Sequence, residues 1–270
     1  MSSFIRRYIF PGSTAHPPYS PSPADVGLVR AYLKSTRPAL PTEIADIILN
    51  YANYSVKDVA TFTPSSVFRI TSRGPGVYGL ILKGPQIREL KQDGLELRDL
   101  KIESVKFEIV SHDQGWGGQG MPGSYNHSFS WLEVTILRRA SHSEFGVEPP
   151  PNIDLDPGDN YTTPANYSEA YRQFGWDFAT DDKGNMLIWL VQKNRVAKGE
   201  SLTHEIVWRC ENHDGEGQYA EFEEATGSGS GEGFVRALQP GDVIFLWARA
   251  IYPGWANVVE KAVIEVAYSD

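Results

Sequence analysis

The chain has 270 residues, 41% hydrophobic and 12% aromatic, which is material for one large core or two small ones and excludes disorder throughout. A formal charge of -9, with no sizeable Lys/Arg cluster, argues against nucleic acid and against an anionic membrane surface as partners. No apolar run approaches the ~20 residues needed to span a bilayer, the stretch before Pro11 is too short for an export signal, and a lone Cys210 permits no internal disulfide; a cytoplasmic protein is expected.

Residues 1–60 read as a Pro-rich arm and two short helices. Pro11, Pro17, Pro18, Pro21 and Pro23 disfavour helix at the start. Val26, Val29 and Leu33 then predict a helix from Asp25 to Ser35. Pro41 suits the first turn of a second helix, with Ile44, Ile47, Ile48 and Tyr51 on one face.

From Phe62 the period changes to two. Val77 to Lys83, Val105 to Val110 and Phe129 to Ile136 are strand-like, and residues 61–140 form a first β half. Residues 141–178, rich in Pro, Asp, Asn and Tyr without periodicity, read as a long irregular loop or linker. Strands resume in a second β half, residues 179–270, at Leu187 to Val191, Leu202 to Cys210, Val243 to Arg249 and Val258 to Tyr268. No long amphipathic helix interrupts them, which disfavours a Rossmann-type alternation.

One pattern recurs: Glu108-Ile109-Val110 runs into His112-Asp113-Gln114-Gly115-Trp116, and Glu205-Ile206-Val207 into His213-Asp214-Gly215. Strand followed by polar, glycine-rich turn, used twice, predicts a mostly β, jelly-roll-like sandwich that is pseudo-duplicated and carries a short helical N-terminal segment. Its loops, held on a rigid sheet, are where binding groups are expected.

Gly227-Ser-Gly-Ser-Gly-Glu-Gly233 superficially matches a phosphate cradle. Surrounding Glu residues would repel phosphate and another turn follows, so a flexible hairpin is expected. Asp154-Leu-Asp-Pro-Gly-Asp159 has calcium-like spacing, yet Ala165 stands where an EF-hand needs its bidentate Glu, so a solvated turn is expected. His112, Asp113, His127 and His142 lack any spacing that fixes two metal ligands on one element. No metal or cofactor is expected. Sequons begin at Asn53, Asn126, Asn160 and Asn166 and read as loop composition.

Seven tryptophans are the sharper signal. Trp131, Trp189, Trp208 and Trp247 lie in strand-like runs and are expected to pack with their indole N–H paired. Trp116 and Trp255 lie among turn residues, where an indole can stack on a sugar while polar neighbours bond its hydroxyls. The candidate ligand-binding set is Tyr252 and Trp255 for stacking, Trp116 as a second wall, and Asp113, Gln114, Arg249 and Asn257 for hydrogen bonds. No catalytic residue is assigned.

Leu190-Val-Gln-Lys-Asn-Arg-Val-Ala197, Thr203-His-Glu-Ile-Val-Trp208, Gly233 to Asp242 and Leu246 to Asn257, with Ser111 to Trp116 and Ser130-Trp-Leu-Glu133 upstream, together resemble a widespread family of filamentous-fungal proteins. From Ala220-Glu-Phe222 through Trp255 there is a fainter similarity to F-box-associated domains. It implies a galactose-binding-like jelly roll, some of whose members bind N-glycans near the matching tip. Leu40-Pro-Thr-Glu-Ile-Ala-Asp-Ile-Ile-Leu49 looks like the opening helix of an F-box. The expected function is a non-enzymatic, lectin-like module for a carbohydrate or other small polar ligand. The alternatives are an F-box-like adaptor docking a protein through residues 24–54, and a secondary-metabolite enzyme pairing His112 or His204 with Asp113 or Glu205.

Overall fold

The computed structural model describes residues 21–52, 54–74, 76–88, 101–118, 120–140, 149–153, 163–210 and 222–269. It divides into two units, Met1–Val56 and Lys57–Asp270. The Asp154 to Asp159 run, His142, Asn53, Asn160 and His213-Asp214-Gly215 lie outside the described residues.

In the first unit, α1 (Pro23–Lys34) starts on a capping box in which Ser22 and Asp25 each accept the other's backbone N–H, with Pro23 following the cap. α2 spans Thr42–Tyr51, and Arg30 pairs with Asp46 at 2.7 Å between the two helices. Val26, Ala45 and Leu49 are buried, whereas Leu28, Tyr32, Ile44, Ile47, Ile48 and Tyr51 are exposed. The apolar stripe legible in α2 is therefore an outer face.

The second unit is a sandwich of two antiparallel sheets. Its strands are β1 (Val56–Phe62), β2 (Phe68–Thr71), β3 (Val77–Gln86), β4 (Lys101–His112), β5 (Ser130–Arg139), β6 (Trp176–Phe178), β7 (Trp189–Lys193), β8 (Leu202–Arg209), β9 (Val243–Ala250) and β10 (Ala256–Ser269). One sheet has the order β1-β10-β4-β8, with β2 also on β10; the other is β3-β9-β5-β6, with β7 also on β5. β10 from the second half lies against β4 from the first, and β9 sits between β3 and β5, so the two halves interleave into one sandwich. The repeated Glu-Ile-Val strands are neighbours, Glu108 opposite Glu205. Their pairing is antiparallel, so the C-terminal ends of β4 and β8 lie at opposite ends of the sheet. The turn after β4 instead meets the turn before β10, where Val258 pairs with His112.

Alternation builds the core. Val105, Phe107 and Ile109 of β4, Leu132, Val134 and Ile136 of β5, Ile244 and Leu246 of β9, and Ile264 and Val266 of β10 are all fully enclosed. The opposite face of the second sheet is apolar as well, and α3 (Pro164–Arg172) lays Tyr167 and Tyr171 on Phe178, Phe245 and Trp247. This helix and β6 fall in the 141–178 stretch read as irregular. Nine residues are too few for periodicity to show; the signal present was the Thr163-Pro164 start with Asn166 as its capping partner.

The glycine-rich run begins as one arm of a hairpin, with Gly229 bridged to Phe222, and is packed against the fold as a strap. A Cβ at Gly229 would lie 1.9 Å from the Leu190 carbonyl oxygen, and one at Gly231 2.1 Å from the Trp208 ring. Gly227, Gly231 and Gly233 have φ of 74°, 65° and 73°, which suits glycine. The Trp208 indole donates to the Gly229 carbonyl at 3.0 Å. A four-residue helix, α4 (Phe234–Ala237), follows.

Candidate functional site

The loop end chosen from sequence exists, and its frame is built from the residues expected to meet ligand. Asp113 is fully buried, its carboxylate accepting the backbone N–H groups of Gly115 (2.7 Å), Ala197 (2.5 Å) and Lys198 (3.0 Å). Burial holds this carboxyl above its ordinary value, against the pull of those three donors. Gln114 clamps the two turns: its amide nitrogen donates to the Trp116 carbonyl at 2.8 Å and its oxygen accepts from the Ala256 backbone at 3.0 Å.

Trp255 is inside. Only 7% exposed, it packs with Val77, Val196 and Ala250 and meets Phe129 edge to face at 5.4 Å. Asn257 is also fully buried, donating to the Trp131 and Arg249 carbonyls and accepting from Asn194, which is bonded in turn to Ser111 and Ser130. Both sheets are thereby stitched at this end. Trp255, Asn257 and Asp113 thus have structural work in place of ligand contact, because each side chain finds its partners within the fold.

Trp116 and Tyr252 are the members left outward, 64% and 53% exposed. The far edge of the Trp116 ring lies over Gly254, 3.5 Å from where a Cβ would stand, so both rings belong to one surface of neighbouring turns. Tyr252 meets Phe129 edge to face at 4.6 Å and holds φ at 67°. Such a conformation costs a bulky residue about 1–3 kcal/mol and tends to collect at functional positions.

Arg249 is engaged on the outer face of the second sheet. Its guanidinium lies 4.2 Å from the Tyr78 ring centroid and 5.3 Å from that of Trp131, with Glu133 at 3.5 Å. Glu133 accepts from the Trp131 indole at 2.7 Å, while its other oxygen and the Arg249 Nε make no hydrogen bond among the described residues. Burial pushes the Glu133 carboxyl up to about 7 and lowers the Arg249 guanidinium. The indoles of Trp189, Trp208 and Trp247 are likewise paired, with Glu232, Gly229 and Thr135.

A groove along β8 escaped the sequence reading. It is an open hollow of about 550 Å³ between Thr203–Trp208 and the strap at Thr226 to Ser230, with Tyr125 and Arg195 at one side. Its signal was spread over four separated segments. Burial, with Arg195 nearby, lowers the His204 imidazole there to about 4.

Of the acid-base combinations considered from sequence, the two between chain neighbours, His204 with Glu205 and His112 with Asp113, do not form. His204 points inward and the exposed Glu205 outward, where it pairs with Lys106 at 3.0 Å. The His112 ring contacts the Asp113 backbone carbonyl, while the Asp113 carboxylate is taken by the loop. Among the described residues no cluster of His, Cys, Asp or Glu could hold a metal, and no helix is long and apolar enough to cross a membrane.

The fold and its loop end define a β-sandwich with aromatic-bearing turns. No family model matches the chain. No curated protein matches it either. Among solved structures it is similar to the infectious bursal disease virus VP2 subviral particle, at 12% identity over 79% of this chain and 41% of that one, TM-score 0.15. The infectious bursal disease virus Gt strain structure stands at 12% identity, 78% and 42% coverage and TM-score 0.15. The chain spans about two-fifths of each, and similarity at this level carries no argument about function.

Proposed function

We propose that this protein is a non-enzymatic, lectin-like recognition module for a carbohydrate or another small ligand with a flat apolar face and a polar rim. The observation that carries the reading is the outward pair Trp116 and Tyr252, held on one surface by the Asp113 and Gln114 clamps and the buried Trp255. Aromatic rings fixed on rigid turns can stack on a sugar face at little entropic cost. The failure of the two acid-base pairs supports binding over catalysis. A cytoplasmic setting is part of the proposal and rests on the single, exposed thiol of Cys210.

The test is a glycan array followed by calorimetric titration of the best glycan. Trp116→Ala and Tyr252→Ala should each weaken binding about tenfold, a loss near 1.4 kcal/mol, with unchanged melting. An array without signal, or a folded double variant that binds normally, overturns the proposal.

A second reading, a protein-docking handle in residues 24–54, is favoured by the exposed Leu28, Tyr32, Ile44, Ile47, Ile48 and Tyr51. Affinity purification of a partner that is lost on deleting those residues, with the sandwich still folded, would support it.

A further inference from the structure

A rung of side chains crosses the outer face of the second sheet. Tyr78 of β3 stands opposite Arg249 of β9, Arg249 opposite Trp131 of β5, and Trp131 opposite Lys193 of β7. Residues opposite one another on neighbouring strands share a face, so the rung alternates ring and cation. The Phe222 ring, its centroid 3.6 Å from the Lys193 Nζ, closes the row. Every member is half-buried, with an accessible part left over.

The two cations of this rung are unlike others in the chain. Elsewhere, part-buried cations meet a carboxylate at hydrogen-bond distance: Arg88 with Asp58 at 2.6 Å, Arg138 with Asp242 at 2.7 Å and Lys57 with Glu265 at 2.8 Å. Lys193 has neither a hydrogen bond nor an acidic partner among the described residues, and burial lowers its ammonium. Arg249 has Glu133 at 3.5 Å but makes no side-chain hydrogen bond among the described residues. The N–H donors of both head groups are thus unmatched, although donors drawn out of water are normally met by an acceptor. Glu133 does not supply it. That carboxyl is enclosed, its Oε1 is itself without a hydrogen bond, and burial pushes it up to about 7, so near neutrality it carries only part of a charge.

What the rung lacks is a negatively charged acceptor. A guanidinium held between two rings offers its N–H edge to a planar carboxylate in parallel bonds. The Glu133 carboxyl beneath disfavours a multiply charged phosphate or sulfate. Half-buried Leu80 and Leu190, opposite Trp247 and Glu133 in the adjoining rung, add apolar surface beside Trp131. With strands ~4.8 Å apart, the backbones bearing the two cations stand ~10 Å from each other with Trp131 between them, a span suited to a small molecule. We propose that the rung of Tyr78, Arg249, Trp131 and Lys193 binds a small organic acid, its carboxylate bonded to Arg249 and its apolar body lying along Trp131 toward Lys193. This site is separate from the Trp116 and Tyr252 surface and does not rest on the reading given to it.

The experiment titrates benzoate and hexanoate into the whole chain by calorimetry, with benzamide as the uncharged counterpart and inorganic phosphate as the multiply charged one. At least one of the two acids should bind with a Kd of about 1 mM or tighter, and benzamide and phosphate about tenfold more weakly or worse. Arg249→Met and Lys193→Met should each weaken the acid about tenfold or more. Melting should be kept, because each change removes a half-buried charge that has no close partner. Trp116→Ala should bind the acid as the parent does. In the parent, the acid should shift the indole N–H resonance of Trp131, assigned through Trp131→Phe, and leave that of Trp116 in place, a readout that stands even where a cation variant does not fold. The proposal is overturned if neither acid binds at about 10 mM, if benzamide or phosphate binds as tightly, if the acid ignores both cation changes, or if it shifts Trp116 in place of Trp131.

Discussion

Replacing Glu133 by Gln tests the balance of forces on the outer face of the second sheet. Burial raises this carboxyl from its ordinary 4.5 to about 7, against the Trp131 indole. A folded-state value above the unfolded one means the native protein keeps a proton that the unfolded chain has released between those two pH values. The group's contribution to stability is then whole below about 4.5 and is lost as pH rises through about 7. At 1.36 kcal/mol per pH unit the swing is about 3 kcal/mol, an upper bound because Arg249, 3.5 Å away, favours the ionised form. The amide of the Glu133→Gln variant cannot titrate, and other ionising groups are shared by both proteins. The difference in stability between Glu133→Gln and the parent should therefore move in the variant's favour by up to about 3 kcal/mol between pH 4.5 and pH 8. Urea unfolding at several pH values measures it. A constant difference, or one that moves against the variant, would refute the reasoning and make the Arg249 pair stronger than the cost of burial.

Asp113→Ala should destabilise by roughly 2–4 kcal/mol, since three loop N–H groups lose their acceptor; denaturant melts check it, and a loss below 1 kcal/mol would deny Asp113 its structural role. Gly231→Ala, whose Cβ would strike the Trp208 ring, should cost several kcal/mol or prevent folding, whereas alanine at Gly117, with nothing within 4 Å but a φ of 77°, should cost only about 1 kcal/mol. His204 should titrate near 4 by proton NMR, so its contribution is present at neutral pH and is lost as pH falls through that value; an imidazole still titrating near 6.5 would place it in open solvent.

Much of the architecture was legible in the residues. Alternating apolar positions in Val105 to Val110 and Val258 to Tyr268 have one half-buried solution, and the spacing of Val26, Val29 and Leu33 marks α1, although Pro23, read as opposing helix, opens it behind the Ser22 cap. The site was less legible. Trp116 and Trp255 stand in similar glycine-bearing turns, and no local rule separates them; Trp255 is enclosed because Phe129 and Val196, remote in sequence, close over it. The glycine strap looked loose because the side chains that demand each glycine belong to other segments. Period and capping act between residues a few positions apart and are written along the chain. Enclosure and strand order arise between segments the chain separates widely, so the fold alone decided which indole faces solvent.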